Sequence, residues 1–256
     1  MSGIRVSERA AFVLADNPTM MTLDGTNTWI LREPGADRCV VVDPGPLDSG
    51  HLDAVQAAAG EVALVLYTHH HFDHTEAIDE FARRTGAPAR AIGEDWCRNA
   101  KPLADGELIV VDGLELKIIA TPGHTMDSMS ILLPQDQALL TGDTILGRGT
   151  TVVAHPDGAL AEYLDSLATI KSLVADGVER LFPAHGPVID DASVAVDFYL
   201  EHRQQRLEQV RTAVADGAST AREVVEIVYA DVDQHLWPAA QLSVEAQLLY
   251  LKNHSS

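Results

Sequence analysis

The sequence predicts an α+β fold in which two sheets pack together under covering helices, followed by a small helical appendage. Three observations carry this. Short apolar runs with strand character recur over residues 26–140, Asp112-Gly113 marks a tight hairpin between two of them, and strand signal fades after Val188. The candidate strands are 26–31, 39–42, 62–67, 107–111, 114–120, 128–133 and 138–140. Helical periodicity falls on 52–59, 75–84 and 159–174. Further on, a long helix is expected over 192–214, broken by Asp216-Gly217. Thr220 and Glu223 then have the spacing of a capping box ahead of Val224, Val225, Ile227 and Val228, and a last helix covers 239–251. The expected division is a catalytic domain over 1–189 and an appendage over 190–256.

Composition narrows the function. The chain has 256 residues, 46% hydrophobic, enough for a sizeable core. No apolar run reaches the length of a membrane span, and Met1-Ser2-Gly3-Ile4-Arg5 lacks the features of a secretory signal, so a cytoplasmic protein without a membrane partner is expected. Cys39 and Cys97 are the two cysteines, too few for a disulfide framework; Cys39 opens an apolar strand and is expected in the core. A net charge of −20 repels polyanions at long range and speaks against a general nucleic-acid binder.

The chemistry is concentrated in Thr68-His69-His70-His71-Phe72-Asp73-His74, which lies where a buried strand ends and a helix begins. Imidazole is the commonest protein ligand for transition metals, and a carboxylate beside it widens the choice. In an extended segment His69 and His71 point to the same side and can grip one ion, whereas His70 alternates away and receives no ligand role. Three further ligand-type residues follow strands beside glycine: His124 after Pro122-Gly123, Asp143 after Thr141-Gly142, and His185 before Gly186. Strand ends hold ligands on a rigid scaffold. Asp43, before Pro44-Gly45, reads as a turn former.

In this order, HxHxDH, Pro122-Gly123-His124-Thr125, Gly142-Asp143-Thr144 and Pro183-Ala184-His185-Gly186 resemble the metallo-β-lactamase fold superfamily over roughly residues 20 to 190. The resemblance implies an αββα sandwich with a two-metal site at one edge. It assigns His69, His71 and His124 to one metal and Asp73, His74 and His185 to the other, with Asp143 bridging. Zinc is the expected metal of the two divalent cations, and manganese or iron also occurs in the superfamily. Two cations bridged by a water generate hydroxide near neutral pH, which attacks a carbonyl or phosphorus, with Asp73 orienting the water or taking its proton.

Within the superfamily, dizinc β-lactamases usually carry cysteine where Asp143 stands, which speaks against antibiotic hydrolysis. The gap of about 40 residues between Asp143 and His185 leaves no room for the inserted domain of the RNA-processing and DNA-repair nucleases. Gly25-Thr26-Asn27-Thr28, Gly147-Arg148-Gly149-Thr150-Thr151, His202-Arg203 and a winged-helix-like tail resemble the lactamase-like group that includes a mitochondrial endoribonuclease. That resemblance puts Asn27 and Thr28 next to the ligands and Arg148 at the cleft mouth. Against it, residues 190–256 hold five basic and eleven acidic side chains, although Arg203, Arg206 and Arg211 share one helix and offer a local patch. The expected activity is therefore a metal-dependent hydrolase acting on a small ester or thioester, or on single-stranded RNA. A mononuclear iron sulfur dioxygenase is the competing enzyme class, and a silent binding module would be expected to have lost ligands. The tail is expected to grip RNA, to cover the active site or to pair subunits in a homodimer.

Overall fold

Alternation of apolar side chains along the strands builds three parallel layers of core in the computed structural model, which describes residues 3–254. The first sheet runs in the order β1 (Ile4–Arg5), β2 (Ala10–Leu14), β3 (Asn27–Leu31), β4 (Arg38–Val42), β5 (Glu61–Leu66) and β6 (Ala89–Arg90). Its members β4, β5 and β6 are parallel and the rest antiparallel. The second sheet contains β7 (Leu108–Val111), β8 (Leu114–Ala120), β9 (Met129–Leu133), β10 (Ala138–Gly142) and β11 (Arg180–Pro183) in the spatial order β11-β10-β9-β8-β7, with β10 and β11 parallel.

On β4, Val40 and Val42 face the other sheet, where they meet Leu116, Ile118 and Ile131, while Cys39 and Val41 face the covering helices. Those helices are α1 (Ser49–Ala59), α2 (Phe72–Thr75) and α3 (Ile78–Thr85), of which α1 and α3 contribute Leu52, Val55 and Phe81 to this outer layer. Trp29 on β3 stacks on Phe182 of β11 across the two sheets at 4.9 Å, an aromatic contact worth about 0.5–1.5 kcal/mol beyond its buried area. The outer face of the second sheet is covered by α4 (Leu160–Ala175) and the first half of α5 (Ala192–Ala215), through Tyr163, Leu167, Ile170, Val196 and Tyr199. The result is the αββα sandwich.

The far half of α5 joins α6 (Ala221–Val228) and α7 (Trp237–His254) around a separate small core of Val210, Ala213, Val224, Val225, Ala240 and Val244. The capping box forms as its spacing predicts: Thr220 accepts from Glu223 N, and Glu223 reaches back to the Thr220 N–H. Among the described residues no helix is long and apolar enough to cross a membrane.

One local expectation is corrected. The single helix expected over 75–84 is two helices, because the chain turns at Glu76-Ala77. Ala77 N donates to Gly45 O, and Thr75 Oγ1 bonds back to the His70 and His71 carbonyls. Four strands give little signal in the sequence: β1 and β6 have two residues each, β2 begins with two alanines, and β11 is a four-residue strand fixed by its parallel pairing to β10.

Candidate metal centre

Every ligand-type residue singled out in the sequence follows the C-terminal end of a strand, and these ends meet at one edge of the sandwich. His69, His71, Asp73 and His74 follow β5, His124 follows β8, Asp143 follows β10 and His185 follows β11. Gly142 makes the approach of β10 possible: its φ is +50°, and a Cβ there would lie 2.9 Å from the Thr68 side chain.

Two sets of donor atoms result. His69 Nε2 and His124 Nε2 lie 3.0 Å and 3.1 Å from His71 Nδ1. Asp73 Oδ2 lies 3.2 Å from His74 Nε2 and 3.1 Å from His185 Nε2. Asp143 stands between the sets: Oδ1 is 3.3 Å from His185 Nε2 and 3.7 Å from His74 Nε2, while Oδ2 is 3.6 Å from His124 Nε2. A cleft of about 230 Å³ opens over the centre, lined by Met20, Met21, Leu23, Leu146 and Val152, with Arg148 at its mouth in an exposed ion pair with Asp24. His70 is turned aside onto Asp127 and Asp157, away from both sets.

The outer nitrogen of each histidine is held. His69 Nδ1 meets Thr68 Oγ1, which itself donates to Asp43 Oδ2. His71 Nε2 meets Asp157 Oδ2 at 2.9 Å, His74 Nδ1 meets Asp43 Oδ2 at 2.9 Å, His124 Nδ1 meets Val152 O at 2.8 Å, and His185 Nδ1 meets Gly25 O at 3.1 Å. In the three-histidine set, acceptors on the outer nitrogens place the ring protons there and turn the inner lone pairs of His69, His71 and His124 toward one another. Buried lone pairs at this separation repel unless a cation lies among them. His74 Nε2 and Asp143 Oδ1 are moreover buried and make no hydrogen bond. Five imidazoles and two carboxylates are a donor set that suits zinc, manganese or iron, so these residues fit a pair of divalent cations.

Electrostatics separates the two sets. Burial holds His69 and His124 below the ordinary histidine range, hence neutral. Burial also opposes charge on His185 and His74, but carboxylates outweigh it: Asp143 and Asp73 push His185 up to about 10, and Asp73 and Asp43 hold His74 well above its usual value. Conversely, burial works to raise Asp73 and Asp143, yet the neighbouring histidines hold both carboxyls far below the usual range. Protons on His74 and His185 thus compete with a cation for one carboxylate field. Cation uptake at pH 7 is expected to release about two protons, and apparent affinity is expected to climb as pH rises from acid toward 10, where His185 sheds its proton unaided. Calorimetry in buffers of different ionisation heat measures this; uptake without proton release contradicts it.

Asp43 is the main correction to the sequence reading. It takes a left-handed φ of +50° just after β4, where no regular turn forms, and its buried carboxylate accepts from Thr68 N, Thr68 Oγ1 and His74 Nδ1. The strand-end placement that singled out Asp143 applied to it equally. Asp157 had no such signal, since Pro156-Asp157-Gly158 reads as a turn. Asn27 does lie beside a ligand, since its Nδ2 donates to Pro183 O and Gly186 O on either side of His185, whereas Thr28 Oγ1 donates to Asp43 O, meets His51 Nε2 and touches no ligand directly. The three tail arginines do not join into the local patch they could have offered. Arg203 is buried, Arg206 lies over Tyr229 and bonds Val228 O, and Arg211 pairs with Glu208.

Comparison with known proteins agrees with this geometry. The family model described as the metallo-beta-lactamase superfamily matches residues 21–185, and that of a beta-lactamase associated winged helix domain matches residues 220–254. The chain is 35% identical to the beta-lactamase-like protein 2 homolog of Caenorhabditis elegans, over 89% of this chain and 78% of that one. It is 34% identical to an atrochrysone carboxyl ACP thioesterase of Aspergillus fumigatus, over 88% and 74%. Among solved structures, a metallo-beta-lactamase family protein of Thermus thermophilus superposes with a TM-score of 0.81 at 23% identity, covering 96% of this chain and 94% of that one.

Proposed function

This chain belongs to the metallo-beta-lactamase superfamily, and on that premise we propose that it is a dinuclear metal-dependent hydrolase of thioesters or esters, with zinc as its metal. The observation that carries the reading is the split of Asp143, one oxygen turned to each donor set. When bound, the cations lower the pKa of water and polarise the scissile carbonyl. The protein's own groups do the rest. Asp73 is a quarter exposed, whereas His74 and His185 are buried, so its carboxylate is the group that meets an incoming water, orients it and takes its proton. Thr26 Oγ1 donates to Asp73 Oδ2 at 3.2 Å and fixes its orientation. Met20, Met21, Leu23, Leu146 and Val152 line the cleft and offer the acyl group an apolar bed.

A thioester is favoured over RNA on two grounds. A relative bears the name of a thioesterase. The appendage arginines are engaged within the protein: besides Arg203, Arg206 and Arg211, Arg222 pairs with Glu226 and stacks over Trp237, and the chain carries −20 overall. The complete second donor set favours two metals over the single iron of a sulfur dioxygenase.

The test presents zinc-loaded protein with a simple acyl thioester, following thiol release, and in parallel with a single-stranded RNA oligonucleotide, with Asp73→Ala as the contamination control. Thiol release by the wild type alone, with the RNA intact, is the expected result. RNA cleavage by the wild type alone, without thiol release, would replace the thioester reading with the endoribonuclease one.

A further inference from the structure

The three-histidine set depends on a segment that has no regular structure of its own. Residues 147–158 contain neither strand nor helix, yet they supply the outer partners of two of the three histidines. Val152 O and Thr151 Oγ1 lie 2.8 Å and 3.2 Å from His124 Nδ1, and Asp157 Oδ2 lies 2.9 Å from His71 Nε2. Something must fix this loop, because a ligand's orientation is only as good as that of its outer partner.

Two of the loop's anchors come from the C-terminal appendage. Arg203 on α5 donates from Nη2 to Thr151 O at 2.5 Å, and Leu242 O on α7 accepts from His155 N at 3.2 Å. Arg203 is 7% exposed, and among the described residues no carboxylate lies within ion-pair range of it. Its guanidinium sits 4.7 Å over the ring of Tyr163, whose hydroxyl donates to Thr144 O beside Asp143. Its Nε is buried with no partner. A buried cation without a counter-charge is costly for stability alone. Its position, spanning the appendage, the loop and the helix next to Asp143, accounts for its presence.

We propose that Arg203 is a positioning residue for the three-histidine cation site: through Thr151 it fixes the loop whose next carbonyl, Val152 O, orients His124, and it thereby makes the appendage part of the centre. This rests on the reading that His69, His71 and His124 hold a cation.

The test measures zinc stoichiometry and affinity of the full chain by competition with a chromophoric chelator, for wild type, Arg203→Met and Arg203→Lys. Melting temperatures of each protein are taken both chelated and zinc-loaded. Wild type is expected to take two cations. Arg203→Met is expected to keep one at wild-type affinity, held by Asp73, His74 and His185, and to bind the other about tenfold more weakly. The gap between chelated and loaded melting temperatures then narrows. Arg203→Lys, which keeps the charge but lacks the planar fork, is expected to fall between the two. Wild-type affinity at both sites in Arg203→Met, with chelated and loaded forms destabilised equally, would overturn the proposal and leave Arg203 a packing residue. If Arg203→Met does not fold, the Arg203→Lys affinity decides by the same criterion. A wild-type chain that takes up no cation overturns the premise and this inference with it, a failure distinct from an intact centre indifferent to Arg203.

Discussion

Asp143→Ala is expected to lose about a thousandfold in turnover and at least one of the two cations. The rate estimate follows from the several kcal/mol of charge stabilisation that a catalytic metal supplies, at about 1.4 kcal/mol per tenfold. The metal loss follows from position. One oxygen of Asp143 lies 3.3 Å from His185 Nε2 and the other 3.6 Å from His124 Nε2, so the alanine removes a donor from both sets at once. It also removes the main charge favouring protonated His185, which leaves five histidines and a single carboxylate, Asp73, facing the remaining space. Elemental analysis after dialysis and steady-state thioester hydrolysis measure the two effects separately. Two retained cations with an unchanged rate would sink the bridging role of Asp143.

The second large effect is expected at a residue outside the donor sets. Asp43→Ala strips the acceptor from three buried donors, Thr68 N at 2.8 Å, Thr68 Oγ1 at 2.7 Å and His74 Nδ1 at 2.9 Å. Each unsatisfied donor costs roughly 1–3 kcal/mol, and the costs overlap, so a destabilisation of about 3–5 kcal/mol is expected. Alanine at φ +50° adds strain that aspartate and asparagine tolerate better. Freed of its outer partner, His74 is expected to hold its cation about 10–100-fold less tightly. Asp43→Asn, which keeps the backbone preference and one acceptor oxygen, is expected to recover part of the stability and little of the affinity. Urea denaturation of the chelated proteins reads the first effect, and chelator competition reads the second. Asp43→Ala within about 1 kcal/mol of wild type and still holding both cations would show that Asp43 serves the local backbone alone.

The sequence by itself determined the layered fold, and with the family resemblance it named the seven residues whose donor atoms the structure brings together. The continuous apolar run of Arg38–Val42 and the alternating one of Leu114–Ala120 need only near neighbours to declare themselves strands, and the capping box joins Thr220 to Glu223 within one helical turn. HxHxDH is legible for the same reason: its ligands are close in the chain, so their spacing carries the chemistry. Tertiary structure alone decided what holds those ligands. Asp43 reaches His74 across 31 residues, Arg203 reaches Thr151 across 52, and Asp157 reaches His71 across 86. No local pattern links such pairs. They meet because β4 lies beside β5, and because α5 and α7 pack near the loop leaving β10. An aspartate before proline-glycine, or an arginine on a long helix, looks ordinary until strand order and helix packing bring a buried donor or acceptor to its side chain, where the cost of leaving that group unpaired gives the residue its role.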